Sequence, residues 1–127
     1  MSIKKIIFPA LFSLLLVGCG PDAEGSLSLV KDGTWDGCPQ KTLGKMATDY
    51  LPAPSWHFLV AEDGRKYVNL SSKITYKGEP VDAVIQFLVH EEGDTFEIHA
   101  FEMDGIPQDG LILTALLTNM CTNFGHP

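Results

Sequence analysis

The chain has 127 residues, the size of one domain of ordinary length. Nine Lys and Arg residues stand against sixteen Asp and Glu, which gives a formal net charge of −7 at pH 7. A surface of that sign repels phosphate backbones and anionic lipid headgroups. The composition therefore argues against nucleic acid as a partner and against membrane attachment through a basic patch.

The N-terminus has the layout of a secretion signal. A short segment with two lysines, residues 1–5, precedes an apolar run at residues 6–17 that is interrupted only by Pro9 and Ser13. The run is too short for a spanning helix, which needs about 20 apolar residues. Its length and its basic flank are typical of a signal peptide. We therefore predict that residues 1–18 are removed on export.

The apolar run ends in Leu16-Val17-Gly18-Cys19. This sequence resembles the lipobox of bacterial lipoproteins, which has an aliphatic residue at −3, small residues before the cut and Cys at +1. The resemblance implies that Cys19 carries diacylglycerol and a further acyl chain, such as palmitate, and that the lipid bilayer is one partner. Gly20 resembles the class that is sorted to the outer membrane. The implied location is the periplasmic side of that membrane, or the outer surface of the cell membrane if the organism has only one.

The residues after the lipobox are rich in Gly, Ser, Pro and Asp. This composition predicts that residues 19–28 form a lipidated cysteine and a flexible tether, which reaches at most about 30 Å. Residues 26–31 also fit a short extended segment. Residues 29–127 are then a single domain held near the membrane.

Three cysteines make an odd number for an exported chain. Lipidation of Cys19 leaves Cys38 and Cys121, and both lie in an oxidising compartment if the chain is exported. We predict a disulfide between them, which contributes about 4 kcal/mol in the chain-entropy model. Two buried free thiols are the alternative.

Two helices are predicted. The first follows the N-cap Thr42 and covers residues 43–51, where apolar residues recur at helical spacing until Pro52. Gly44 inside it costs about 1 kcal/mol against Ala, which suggests close packing there. The second covers residues 110–121 after the N-cap Asp109. It is apolar nearly all round, and a helix of that kind is usually buried.

Four strands are predicted between the helices, at residues 56–61, 66–76, 81–90 and 95–103. Turn signals separate them at Asp63-Gly64, at Lys77-Gly78 and at residues 91–94, and Asp104-Gly105 ends the last strand. The predicted fold is α+β: a helix, a four-stranded antiparallel meander and a helix, with both helices on one face of the sheet.

The arrangement has two further resemblances. The pattern of Asp36-Gly37-Cys38-Pro39, Trp56, Ile85-Gln86-Phe87 and Gly105-Ile106-Pro107-Gln108 resembles small extracytoplasmic domains of unknown function that occur as lipoproteins. The layout is also similar to the helix-and-sheet repeats of beta-lactamase inhibitor proteins. The second resemblance implies binding of a protein through the exposed sheet.

The sequence contains no regular pattern of metal ligands, catalytic serine elbow or phosphate-binding loop, so we predict no metal, no cofactor and no enzyme activity. Glu97 and His99 lie two apart on a predicted strand and so share a face, where a carboxylate beside an imidazole could do acid–base work. A solvated polar face is the interpretation that we favour.

The face of the sheet away from the helices is the candidate binding face. If the helices cover one face only, the other exposes apolar groups mixed with polar ones. Its predicted residues are Val84, Gln86, Leu88, Glu97, His99, Phe101 and Met103. The alternative is that residues 26–31 or Trp56 cover this face as a second layer.

These features favour a non-enzymatic, membrane-anchored protein-binding module in the cell envelope. One alternative is a small-ligand carrier or sensor with a pocket between helices and sheet. Another is an exclusion lipoprotein of a phage or plasmid, or an inhibitor of an incoming hydrolase. The binding partner is then an envelope protein or an incoming one.

The variant Cys19→Ser tests the anchor. Without the thiol no diacylglycerol is attached, so we expect the protein to leave the membrane fraction and to incorporate no radiolabelled fatty acid. Fractionation and labelling of cells that express either form provide the measurement. Continued membrane association of the variant would contradict the anchor.

Overall fold

The computed structural model of the chain describes residues 21–90, 92 and 94–123. The predicted signal peptide and Cys19 lie outside the described residues. In chain order the elements are α1 (Pro21–Lys31), α2 (Leu43–Tyr50), β1 (Ser55–Val60), β2 (Lys66–Tyr76), β3 (Glu79–Val89), β4 (Phe96–Met103), β5 (Ile106–Pro107) and α3 (Gly110–Thr122). The expected helix, four-stranded meander and helix is therefore wrong, because the described residues form three helices and a five-stranded sheet.

The sheet is an antiparallel meander in the order β1-β2-β3-β4-β5. The two-residue turn Lys77-Gly78 joins β2 to β3, and both residues have positive φ, 53° and 82°. Such turns match the twist of the flanking strands, and they fix the register of the pair. Tyr76 therefore pairs with Glu79, and the pairing continues to Lys66 opposite Val89.

The fifth strand forms at Asp104-Gly105, where the sequence predicted only the end of the fourth strand. These residues have φ values of 52° and 79°, so they make a second tight hairpin turn. The chain folds back, and Ile106 pairs with Met103. An Asp-Gly pair after an alternating strand is thus a hairpin signal here, even though the returning strand has only two residues.

The additional helix is α1. It occupies the segment that was predicted as a flexible tether and a short extended stretch. Ala23, Ser26 and Val30 are buried at positions i, i+3 and i+7, which gives the helix one face of small side chains. The negative charge of Asp22 in the first turn interacts favourably with the helix dipole. Its carboxylate lies 3.4 Å from Lys66 Nζ on β2. The Gly and Ser content masked this spacing in the sequence.

All three helices pack on the same face of the sheet, which we call the helix face. The central row of that face is Phe58, Val68, Phe87 and Ile98, in neighbouring strands. Its residues belong to one core cluster with residues of each helix, including Val30, Met46, Leu117 and Met120. The close packing predicted at Gly44 is confirmed, because a Cβ there would lie 3.0 Å from the Lys31 carbonyl oxygen of α1.

A β-bulge in β4 corrects the predicted faces of this strand. Gln86 pairs with Ala100 while its neighbour Phe87 pairs with Ile98, so His99 is the extra residue. One extra residue reverses the alternation of side chains beyond it. Phe101 and Met103 therefore lie in the core, at 2% and 5% exposure, and not on the candidate binding face. Ala100 has moved the other way, opposite Gln86.

Helix α3 is less buried than its apolar sequence predicted. Leu117, Met120 and Cys121 are buried, but Leu111 is 77% exposed. The first turn lies after the short β5, where Ile106 is also exposed. The buried residues recur on one side in the last two turns, so the helix packs mainly through its C-terminal half. None of the described helices is long and apolar enough to cross a membrane.

The predicted disulfide between Cys38 and Cys121 is present in the structure, with the two Cα atoms 5.9 Å apart. Cys38 lies in the loop between α1 and α2, and Cys121 lies in the last turn of α3. Both are buried in the core cluster. The bond closes a loop across 83 positions of sequence and ties the C-terminal helix to the N-terminal layer.

Replacing both cysteines, in Cys38→Ala with Cys121→Ala, should lower the free energy of unfolding by up to about 4 kcal/mol, because the unfolded chain regains the entropy of a long open loop. In a domain of this size that loss lowers Tm by about 10 °C or more. Thermal melts of the variant and of reduced wild type provide the measurement. Unchanged melting in both would contradict a paired disulfide.

Candidate functional site

The face of the sheet opposite the helices is the candidate site, and we call it the second face. It carries a small apolar cluster of Leu59 and Tyr67 with Leu88 packed against it, to which no residue of the described helices belongs. Around the cluster lie polar side chains and small apolar ones. The second face contains Leu59, Tyr67, Asn69, Val84, Gln86, Leu88, Glu97, His99, Ala100 and Glu102.

The structure places five of the seven predicted binding residues on this face: Val84, Gln86, Leu88, Glu97 and His99. The predicted alternative, in which residues 26–31 or Trp56 cover it, is wrong. Residues 26–31 belong to α1, and the Trp56 ring stacks on Phe87 at 6.3 Å between ring centroids, on the helix face.

Of the ten residues named above, sequence reasoning missed five: Leu59, Tyr67, Asn69, Ala100 and Glu102. The first three follow from the alternation of β1 and β2 once the turns fix their pairing, since Asn69 lies opposite Gln86. That signal was present in the sequence. Glu102 was missed for a different reason, because it reaches this face only through the bulge at His99.

Two neighbouring amide side chains define the polar centre of the second face. Gln86 is fully buried, and neither its Oε1 nor its Nε2 has a hydrogen-bond partner among the described residues. Asn69 on the adjacent strand is 7% exposed, and its Oδ1 is also unpaired there. An unsatisfied buried polar group costs about 1–3 kcal/mol, and native proteins contain few of them. These atoms lie on neighbouring strands, so the second face contains a group of buried polar atoms without partners among the described residues.

An aromatic pair lies beside the amides. The rings of Tyr67 and His99 are 5.3 Å apart between centroids and tilted by 51°, and Tyr67 is only 1% exposed. Burial and the charge of Arg65 lower the pKa of His99, and Glu97 offsets part of this. The imidazole is therefore neutral at neutral pH. Its Nε2 is buried without a hydrogen-bond partner in the described structure, so it adds a fourth unpaired polar atom to those of Gln86 and Asn69.

Glu97 and His99 do not form the acid–base pair that the sequence allowed. The Glu97 carboxylate lies 3.5 Å from His90 Nε2 instead, and its side chain is 57% exposed. The His99 ring lies against Tyr67 at a tilt of 51°, and His99 is the extra residue of the bulge. The arrangement thus offers hydrogen-bonding groups and apolar surface, and it pairs no base with a nucleophile.

Among the described residues, no group of three or more His, Cys, Asp or Glu side chains is placed to hold a metal ion. A cavity of about 240 Å³ lies between the loop after α1 and β4, lined by Trp35, Leu43, Phe96 and Ile98 among others. It is smaller than the roughly 300–1,000 Å³ of typical ligand pockets.

Comparison of the chain with known protein families, with curated proteins and with solved structures finds no match.

The variant Gln86→Met tests the unpaired amide. It keeps the length of the side chain and removes two unsatisfied buried atoms, so we expect the free energy of unfolding to rise by about 1–3 kcal/mol. Ser72→Ala is the matched control, because Ser72 is buried but its hydroxyl donates to the Pro52 carbonyl oxygen. The control should lose about 1 kcal/mol. Chemical denaturation measures both, and destabilisation by Gln86→Met would show that the amide is satisfied.

The lowered pKa of His99 predicts a pH dependence. As pH falls below the ordinary value of 6.5, the unfolded chain binds a proton before the folded one does. Stability is therefore complete above that pH and declines as the solution is acidified through the lower folded pKa. Between about pH 7.5 and about pH 5.5, the melting temperature of wild type should fall more steeply than that of His99→Gln. Parallel curves would contradict it.

Proposed function

We propose that this chain is a lipoprotein, anchored through acylated Cys19 and facing the periplasm or the cell exterior, which binds another protein through the second face. The lipobox at residues 16–19 supports the anchor, and the buried disulfide suits an oxidising compartment. The observation that carries the binding proposal is Gln86, fully buried and unpaired at both amide atoms on a sheet face that lacks a described helix.

The chemistry of the second face suits a polypeptide partner. A carboxamide has both a donor and an acceptor, so Gln86 and Asn69 complement the N–H and C=O of a peptide group or another amide side chain. Leu88 and Val84 are half-buried beside them and would exclude water from such bonds. Polar anchors inside an apolar surround are the usual make-up of the centre of an interface.

The charge favours a basic partner. Residues 19–127 retain seven of the nine basic side chains and all sixteen acidic ones, because only Lys4 and Lys5 lie in the predicted signal. A net charge of that sign speeds association with positively charged proteins and slows it with acidic ones. Both an envelope protein and an incoming hydrolase are compatible with it, so the identity of the partner decides between an assembly factor and an inhibitor or exclusion protein. The protein has no reaction of its own in this proposal.

A small-ligand carrier is the second candidate, and the cavity lined by Trp35 and Phe96 is the observation that favours it. It lies between the loop after α1 and the sheet, as a carrier would require. A ligand there would contact Trp35, so its fluorescence should change on binding. Native mass spectrometry of the purified protein would reveal a bound molecule.

A photoreactive residue placed at Val84, on the second face, tests the binding proposal in intact cells. The matched control position is Thr118, exposed on α3. We expect a crosslinked adduct of defined mass from position 84 and none from 118. The adduct should weaken about tenfold when Gln86→Met is added, since the partner's amide then loses its hydrogen bonds. An adduct equal at both positions, or insensitive to Gln86→Met, would refute the second face as the site.

A further inference from the structure

We infer that the lipid anchor holds the domain upright, with the end of the sheet formed by the β1–β2 and β3–β4 turns against the bilayer and the β2–β3 turn pointing away from it. This inference rests on the lipidation of Cys19 in the proposed function. We call the first end the proximal end; its strand residues are Val60, Lys66, Val89 and Phe96, which pair across four strands.

Almost no tether separates Cys19 from the first helix. Pro21–Lys31 is a helix packed on the sheet, so only Cys19 and Gly20 separate the lipid-bearing sulfur from folded structure. Three residues of chain reach about 11 Å at most, which limits the distance from the Cys19 Cα to that of Asp22. A nine-residue flexible linker would have left the domain free to turn, and this one does not.

Helix α1 begins at the proximal end of the sheet. Asp22 in its first turn forms an ion pair with Lys66 at 3.4 Å, at the proximal end. Gly33, two residues beyond the helix, lies so close to Phe96 that an added Cβ would be 2.5 Å from the ring. Lys66 belongs to the proximal row, so α1 begins at that end, and along its length the helix contacts β1 and β2. The anchor is therefore confined to that end.

The β2–β3 turn lies far from the proximal end, because β2 runs most of the length of the sheet. β2 runs from Lys66 to Tyr76, and ten steps of a strand span about 33 Å. The β2–β3 turn at Lys77-Gly78 is thus about one domain length from the anchor. Ile106 and Leu111, the exposed large apolar side chains of the described residues, follow the β4–β5 turn, which also lies beyond the proximal row. They are placed to meet a protein and not the bilayer.

The charge of the proximal end shows what holds it there. Glu62 and Asp63 lie in the β1–β2 turn, and Glu92 and Asp94 lie in the β3–β4 connection. These four acidic side chains outnumber Arg65 and Lys66 at the same end, so the end is net acidic and anionic headgroups repel it. Acyl chains must hold it against that repulsion, and one chain alone anchors only marginally.

The test compares two matched labelling sites in the lipidated, oxidised protein, whose native cysteines are acylated or paired. Glu62→Cys lies at the proximal end and Glu79→Cys at the distal end; both replace an exposed glutamate with a labelled thiol. The proteins are reconstituted in phosphatidylcholine vesicles that carry a headgroup-linked energy acceptor. With about 33 Å between the two ends, we expect at least about twofold more energy transfer from position 62.

Each outcome decides something different. Stronger transfer from position 62 supports the upright orientation, and equal or reversed transfer in protein that floats with the vesicles overturns it while leaving the anchor intact. Protein that carries no acyl chain and does not float overturns the anchor, and with it this inference. A glycine-serine insertion of ten residues after Gly20 is the control, because a long flexible tether should abolish the difference between the two positions.

Discussion

The packing of three helices against a single face of the sheet is the constraint on which the rest of the structure depends. Phe87 at its centre is fully buried, with Trp56 stacked on one side and Phe96 edge-on at 5.9 Å on the other. Burying a side chain of this size stabilises the fold by about 1.5–3 kcal/mol. A two-layer domain of this kind covers one face of its sheet with helices. The side chains of the other face pack only against one another and against solvent or a partner.

The bulge at His99 determines what that other face is made of. Without the bulge, strict alternation would put Phe101 and Met103 on the second face. The domain would then expose a large apolar surface there. With it, both side chains enter the core, and the small Ala100 stands opposite Gln86. The second face is consequently polar at its centre. A single inserted residue therefore replaces exposed apolar side chains on the second face with small and polar ones.

How much of this was predictable follows from the range of each signal. Turn pairs such as Lys77-Gly78 and periodic runs are local, so the four long strands and the helices α2 and α3 lie within two residues of their predicted positions. The bulge is not local: whether β4 contains an extra residue depends on its pairing with β3. Helix α1 was missed because it is stabilised by the sheet beneath it, and its Gly and Ser residues have weak helix propensity.

The same contrast applies to the site. Gln86, Leu88 and Glu97 were placed on the second face because alternation in β3 and the start of β4 is regular. The unpaired state of the Gln86 amide was out of reach, since it depends on every side chain around it. A sequence that keeps an unsatisfied amide at full burial gives up stability which a Met or Leu would restore. Natural chains retain such costs mainly where function requires them.

In the proposed function, a lipid anchor on Cys19 and binding through the second face would support one another physically. A partner that also lives in the envelope meets a lipidated domain at a high effective concentration, so a modest interface is enough for occupancy. A small face with two or three hydrogen-bonding anchors is an interface of that scale. If Cys19 carries the proposed lipid, its short connection to α1 would also fix orientation, because it would present the second face at the same height on every copy. Under that proposal, the buried unpaired amide of Gln86 and the short connection to Cys19 together favour weak, directional recognition at a membrane surface.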